Sequence, residues 1–237
     1  MQSFETLLRE SAQAHGHLCP GQVVGVRMAM LGCRLIGLDE PRRRDQIKRL
    51  LVYVEMDRCT ADAVAHVTGA KLGRRSLKFM DYGIMAATFL NLETSRAFRI
   101  LSTEEARDLA SAYAPEVMDK SARQLEAYKR MADGVLFRVQ RVRVNLHECD
   151  LPGPTLHKVV CSICGQVVRD RREVYRDGKP ICRPCTQDSY FSHAREVSWP
   201  GMNWSPALEN ANAPDLQAEK GANSSTGITD EPVLSRN

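Results

Sequence analysis

Phe4, Leu7, Leu8 and Ala12 recur at helical spacing, so residues 3–14 are predicted to form a short amphipathic helix. Pro20 suits the first turn of a second helix, with Cys19 at or near its N-cap and Gly37 as its stop. Apolar residues cover nearly every side of that helix and leave Arg27 and Arg34 as its charged stripe, the pattern of a mostly buried element. Gly21, Gly25, Ala29 and Cys33 fall four apart along it, a small-residue face that lets another backbone come close. "RLLVYVEM" (49–56) reads as a buried strand, and "DRCTADAVAHVTG" as a turn into a helix that stops at Gly69. "SLKFMDYG", "AATFLNLE" and "SRAFRILS" alternate as further strands. Residues 103–113 and 116–132 are predicted helical, the latter opening at Pro115, and "VLFRVQRVRVNLHE" (135–148) reads as one long strand. Helices and strands do not alternate regularly, so the fold class is α+β, not a parallel α/β sheet.

The pattern changes after residue 149. Pro and Gly make 150–157 a linker, 158–197 a compact second unit, and the Asn-, Ala-, Ser- and Pro-rich stretch 198–237 an expected disordered tail. The first 149 residues then form the main domain. The amino terminus is polar and carries no signal-like apolar run. The most apolar window, Val23 to Leu38, is interrupted by two arginines and is too short to span a bilayer. A cytoplasmic protein with no membrane contact is the expectation.

Composition adds one decisive feature. Eight cysteines in that compartment do not read as four disulfides. Four of them form Cys161-x2-Cys164 and Cys182-x2-Cys185, separated by 17 residues, the spacing of a four-cysteine zinc site. Four thiolates close a tetrahedral shell, so this zinc is structural. Gly165 after the first pair, an Asp177-Gly178 hairpin turn and a helix over "TQDSYFSHAREV" together predict a treble clef. The net charge of +4 is mild, and residues 158–195 hold eight Lys/Arg against four Asp/Glu, so nucleic-acid binding is weakly supported.

The remaining chemistry lies in "AHGHLCPGQVVG" (14–25). In an extended segment His15, His17 and Cys19 point to one side. Cys19 and Cys59 each precede a helix, where the dipole lowers a thiol pKa. His17, Cys19 and Cys59 form a candidate core metal site for an ion of undetermined identity, with His15 or Asp62 as fourth ligand or as a hydrogen-bond partner to a ligand. Cys19, Cys59 and His15 are also the candidate catalytic groups. His66 reads as a core histidine or one that backs a ligand, Cys33 as packing, and His147 with Cys149 as a weaker ligand pair at a strand end. "GAKLGRRSLK" (69–78) lacks a phosphate-loop pattern.

"HGHLCPGQVVGVRMAMLG" together with "VEMDRCTADAVAHVTGAKLGRRSLKFMDYG" resembles the FmdE family of formylmethanofuran dehydrogenase proteins over about residues 12–148. The resemblance implies an α+β core, a homodimer, an auxiliary treble-clef zinc finger and a cleft around His17, Cys19 and Cys59. It also links the chain to one-carbon metabolism on a molybdenum or tungsten enzyme. Ala70 stands where relatives carry a cysteine, Arg74-Arg75 where they carry a Gly-Lys-Gly-like run, and Ile84 where they carry a lysine. Three functions follow as expectations. The first is a metal-binding accessory or metallocofactor-handling protein for a molybdenum or tungsten enzyme. The second is a metal- or thiolate-dependent accessory oxidoreductase, and the third a nucleic-acid-binding regulator acting through the finger.

Overall fold

A computed structural model describes residues 1–186, 189–192 and 194. The chain divides into two compact units, Met1–Leu156 and His157–Asn237. In the first, helix α1 (Phe4–His15) starts where the Ser3 hydroxyl accepts from the Thr6 N–H and stops at Gly16 in the left-handed region, φ 98°. Helix α2 (Pro20–Ile36) carries Pro in its first turn and ends at Gly37, φ 75°. A short helix α3 (Arg44–Ile47) leads to strand β1 (Leu50–Val54), and helix α4 (Cys59–Thr68) follows. The chain then forms β2 (Leu77–Phe79), β3 (Ala86–Asn91) and β4 (Ala97–Ser102), helices α5 (Glu104–Asp108), α6 (Ala110–Tyr113), α7 (Lys120–Arg130) and α8 (Asp133–Leu136), and β5 (Phe137–Arg141). The sheet order is β2-β1-β3-β4-β5, parallel between β1 and β2 and antiparallel elsewhere, so the fold is α+β.

The core forms where apolar α2 lies on one sheet face. Val23, Val26, Met28 and Cys33 are buried with Leu50, Val52, Phe89 and Ile100 in one cluster. Burial and the nearby Asp39 charge push the Cys33 thiol up to about 12, which leaves it an inert packing residue. Arg27 and Arg34, the charged stripe of α2, both bond Asp133, and Arg27 also donates to the Tyr128 and Met131 carbonyls. The small-residue face packs on α4: a Cβ on Gly25 would lie 2.6 Å from both the Ala63 Cβ and the Thr60 carbonyl oxygen. Gly25→Val is therefore expected to cost about 3 kcal/mol, overpacking outweighing the gain in helix propensity. An unchanged denaturant midpoint would rule out this close approach.

Three elements depart from the sequence pattern. Helix α7 begins at Lys120, not near Pro115, because the Asp119 carboxylate accepts from the Ala122 N–H at 2.8 Å and caps it there. The guanidinium of Arg123 meanwhile binds the Val117 and Met118 carbonyls outside the helix. The predicted helix 103–113 is broken at Leu109 into α5 and α6. The long strand predicted over 135–148 is helix α8, then β5 only to Arg141. Its ladder stops because β4 begins at Ala97, whose carbonyl takes the last bond from the Val142 N–H. Val142, Val144 and Leu146 still cover Leu51, Leu90 and Ala97 on the other sheet face, so the alternation marked burial without a strand partner.

In the second unit, β6 (Lys158–Val160) pairs with β7 (Val167–Arg169), and β8 (Val174–Arg176) with β9 (Lys179–Ile181). Asp177 and Gly178 both have positive φ in the second hairpin, as a two-residue turn of the primed type requires. Helix α9 spans Arg183–Thr186 and Ser189–Ser192 are not helical, so the predicted helix over "TQDSYFSHAREV" is not formed there. Gln187, Asp188, His193 and residues 195–237, with the expected tail, lie outside the described residues. Among the described residues, no helix is long and apolar enough to cross a membrane.

Candidate metal centres

The finger site is built by two turns. Between β6 and β7 the chain doubles back through a knuckle in which the Gly165 N–H donates to the Cys161 carbonyl at 3.0 Å and Gly165 adopts φ 71°. Cys182 follows β9 and Cys185 rides on α9. The four sulfurs of Cys161, Cys164, Cys182 and Cys185 lie within 4.8 Å of one another. The Cys164 and Cys182 sulfurs are 3.6 Å apart, close to the roughly 3.8 Å edge of a tetrahedron with bonds of about 2.3 Å. Burial alone would raise the Cys161 thiol, but backbone N–H groups at Cys164, Cys182 and Ile163 overcome it and bring it to about 6. Burial and the crowded neighbouring sulfurs push the Cys185 thiol up. Four sulfurs this close suit a divalent ion, which would hold them as thiolates, so the donor set fits one.

The core site lies where α1 ends and α2 and α4 begin. His15 is the last residue of α1, not part of an extended run, and Gly16 reverses the chain so that His17 and Cys19 come back beside it. The ligand atoms of His15, His17 and Cys19 lie within 4.8 Å of one another, and the two imidazole centroids are 4.7 Å apart. His15 Nδ1 bonds the Asp62 carboxylate at 2.9 Å, one turn into α4. Its other nitrogen, Nε2, is buried without a hydrogen-bond partner among the described residues. A carboxylate on one imidazole nitrogen with the other nitrogen unpartnered is how a metal-bound histidine is held.

Cys59 is the first residue of α4, and its thiol lies near enough to that of Cys19 to be shifted by it. Among the described residues, it stands outside the mutual group that His15, His17 and Cys19 form. Burial first, then the Cys19 thiol and the Asp62 charge, raise the Cys59 thiol, overriding the lowering expected from the helix dipole. Gln22, which is not among the sequence candidates, fixes this junction. Its buried amide accepts from the Ser11 hydroxyl at 2.5 Å and donates to the Cys59 carbonyl at 2.8 Å, tying α1, α2 and α4 together. A signal for it exists in the chain: a lone amide among the apolar residues ahead of Arg27 has to find partners.

The weaker candidates take other roles. The ligand atoms of His147, Glu148 and Cys149 also lie within 4.8 Å of one another, but His147 Nδ1 accepts from the Cys149 N–H at 3.1 Å and caps a 3-10 turn. The Cys149 carbonyl accepts from Arg75. His66 faces Glu10 and Arg42, and its carbonyl accepts from Arg42 at 2.6 Å. Burial, with the Arg42 charge, lowers the His66 pKa below its ordinary value despite Glu10. Protonation then favours the unfolded chain, so this contribution to stability is present above about pH 6.5 and is lost as pH falls through the lower folded value. His66→Gln should flatten the acid-side decline of the melting temperature; an identical decline in both proteins would exclude this role.

Fold and centres define the class: a small α+β protein with a histidine–cysteine cluster at converging helix ends and an appended four-cysteine finger. Residues 14–143 match the family model described as FmdE, Molybdenum formylmethanofuran dehydrogenase operon. The chain belongs to this FmdE family. It is 31% identical over 209 residues to a probable S-adenosyl-L-methionine-binding protein of Archaeoglobus fulgidus, the match covering 81% of this chain and 55% of that protein. The chain thus spans about half the length of this curated relative. The crystal structure of a tungsten formylmethanofuran dehydrogenase FmdE-like protein from Syntrophus aciditrophicus shares the fold, with a TM-score of 0.52 and 18% identity. That match covers 81% of this chain and 96% of the other.

Proposed function

We propose that the chain is a metal-binding accessory protein that handles a metal or metallocofactor for a molybdenum or tungsten enzyme. In this reading the finger holds a structural zinc on Cys161, Cys164, Cys182 and Cys185, and the core centre holds a second, exchangeable ion. The carrying observation is the buried, unpartnered Nε2 of His15, whose Nδ1 is held by Asp62, inside a cluster with His17 and Cys19. His15, His17 and Cys19 would bind the ion, Asp62 would orient His15, and Cys59 would supply a further thiolate. A borderline ion bound there supplies Lewis acidity at an open coordination position. His17 is exposed, so the centre opens to solvent and suits transfer of the ion. A cytoplasmic homodimer fits the family reading. Elemental analysis before and after mild chelation tests the proposal: two ions per chain are expected, with the core ion leaving first. A single ion, tightly held by the finger, would overturn it.

The placing of Cys19 and Cys59 at neighbouring helix starts, near enough for one thiol to raise the other, favours a second reading, an accessory oxidoreductase working through that pair. A Cys19–Cys59 disulfide formed reversibly in the metal-free protein, seen by peptide mass, would favour it. The name of the Archaeoglobus relative brings S-adenosyl-L-methionine in as a ligand to titrate against both forms.

A further inference from the structure

A cleft of about 210 Å³ opens beside the first turn of α2. Pro20 and Gly21, directly after Cys19, line it, and a Cβ on Gly21 would meet the Cys59 Cβ at 3.0 Å. Polar residues line it too. Tyr128 is 9% exposed, and its hydroxyl has no hydrogen-bond partner among the described residues although the ring lines this cleft. The Ser102 hydroxyl and the Gln124 amide also line it, and neither has a protein partner among the described residues. Arg107 completes the set, its guanidinium only loosely engaged with Glu104 at 3.9 Å. Burial raises the Tyr128 pKa, so the phenol remains a donor at neutral pH. Val24 and Met85 supply apolar lining.

We propose that this cleft binds a small oxyanion-bearing metabolite, a short-chain carboxylate or phosphate ester, with its anionic group on Arg107 and Tyr128 and its stem along Val24 toward Cys19. Arg107, Tyr128, Ser102 and Gln124 all line the cleft and can all donate, and the acid paired with Arg107, Glu104, lies 3.9 Å off in an exposed pair that an anionic head can displace. Glu104 also lines the cleft, and it and Asp108 act on the same hydroxyl, but both are exposed and their charge is screened by solvent. The volume is below the roughly 300–1,000 Å³ of drug-sized pockets, which limits the occupant to a small molecule. The orientation toward Cys19 rests on the metal-centre reading; the anion binding does not.

The test uses the full chain at constant ionic strength, titrated with butyrate, inorganic phosphate and the neutral isostere butyramide, and followed by amide and tyrosine-ring NMR shifts. Saturable binding is expected at Tyr128 and Arg107, with butyramide at least about tenfold weaker. Arg107→Gln should weaken butyrate or phosphate roughly tenfold, and Tyr128→Phe should weaken it several-fold. The tighter anion identifies the carboxylate or phosphate source. The same affinity after chelation supports the cleft even where the metal centre fails. Unchanged affinity in both variants, butyramide binding as tightly as butyrate, or binding that disappears with the metal would overturn it.

Discussion

Cys182→Ser is expected to unfold residues 157–186 while Met1–Leu156 keep their protection against hydrogen exchange and protease. The reason is the size of the finger's core. Among the described residues its buried apolar cluster is Ile181 with Cys161 and Cys182, joined by Val168 and Cys185, too little surface to offset their ordering entropy. The stabilising term in a unit of this kind is its metal, with apparent binding worth about 10–16 kcal/mol at neutral pH. Cys182 contributes twice: its sulfur lies 3.6 Å from that of Cys164, and its N–H donates to the Cys161 sulfur at 3.3 Å. The serine keeps the N–H and removes the soft ligand, so the loss isolates the metal's contribution. Equal exchange protection of the finger in both proteins would show that it folds without its ion.

Cys19→Ser should lower total metal from two ions per chain to one and leave the finger ion in place. Cys19 is the N-cap of α2, where its extended backbone, φ −141°, turns the side chain toward His15 and His17. Its thiol makes no cap hydrogen bond, so replacing it with serine removes a ligand and costs the helix nothing. Stability without metal should therefore stay within about 0.5 kcal/mol of the parent. The expected signature is one ion lost with the fold kept. A parent protein that carries one ion, or a variant that still carries two, would remove Cys19 from any metal centre.

Much of the architecture was legible in the sequence because local chemistry decides it. Pro20 with Gly37 bracketed α2, Gly69 stopped α4, and the Cys-x2-Cys pairs with Asp177-Gly178 marked the finger. Each of these acts through its own backbone or its near neighbours, so no distant partner is needed to read it. The start of α7 and the end of β5 were not legible, because a choice between caps at Pro115 and Asp119, and the length of the partner strand β4, belong to other segments. The same holds at the core centre. Residue types mark His15, His17, Cys19, Cys59 and Asp62, but it is a helix end and a glycine reversal, not extended alternation, that gather the first three. The approach of α4 along the small-residue face of α2 set Asp62 on His15 and brought Cys59 near Cys19. Residue identity and spacing set which groups were available. Helix packing decided which of them meet, since contacts over such separations form only when the core that holds both helices has closed.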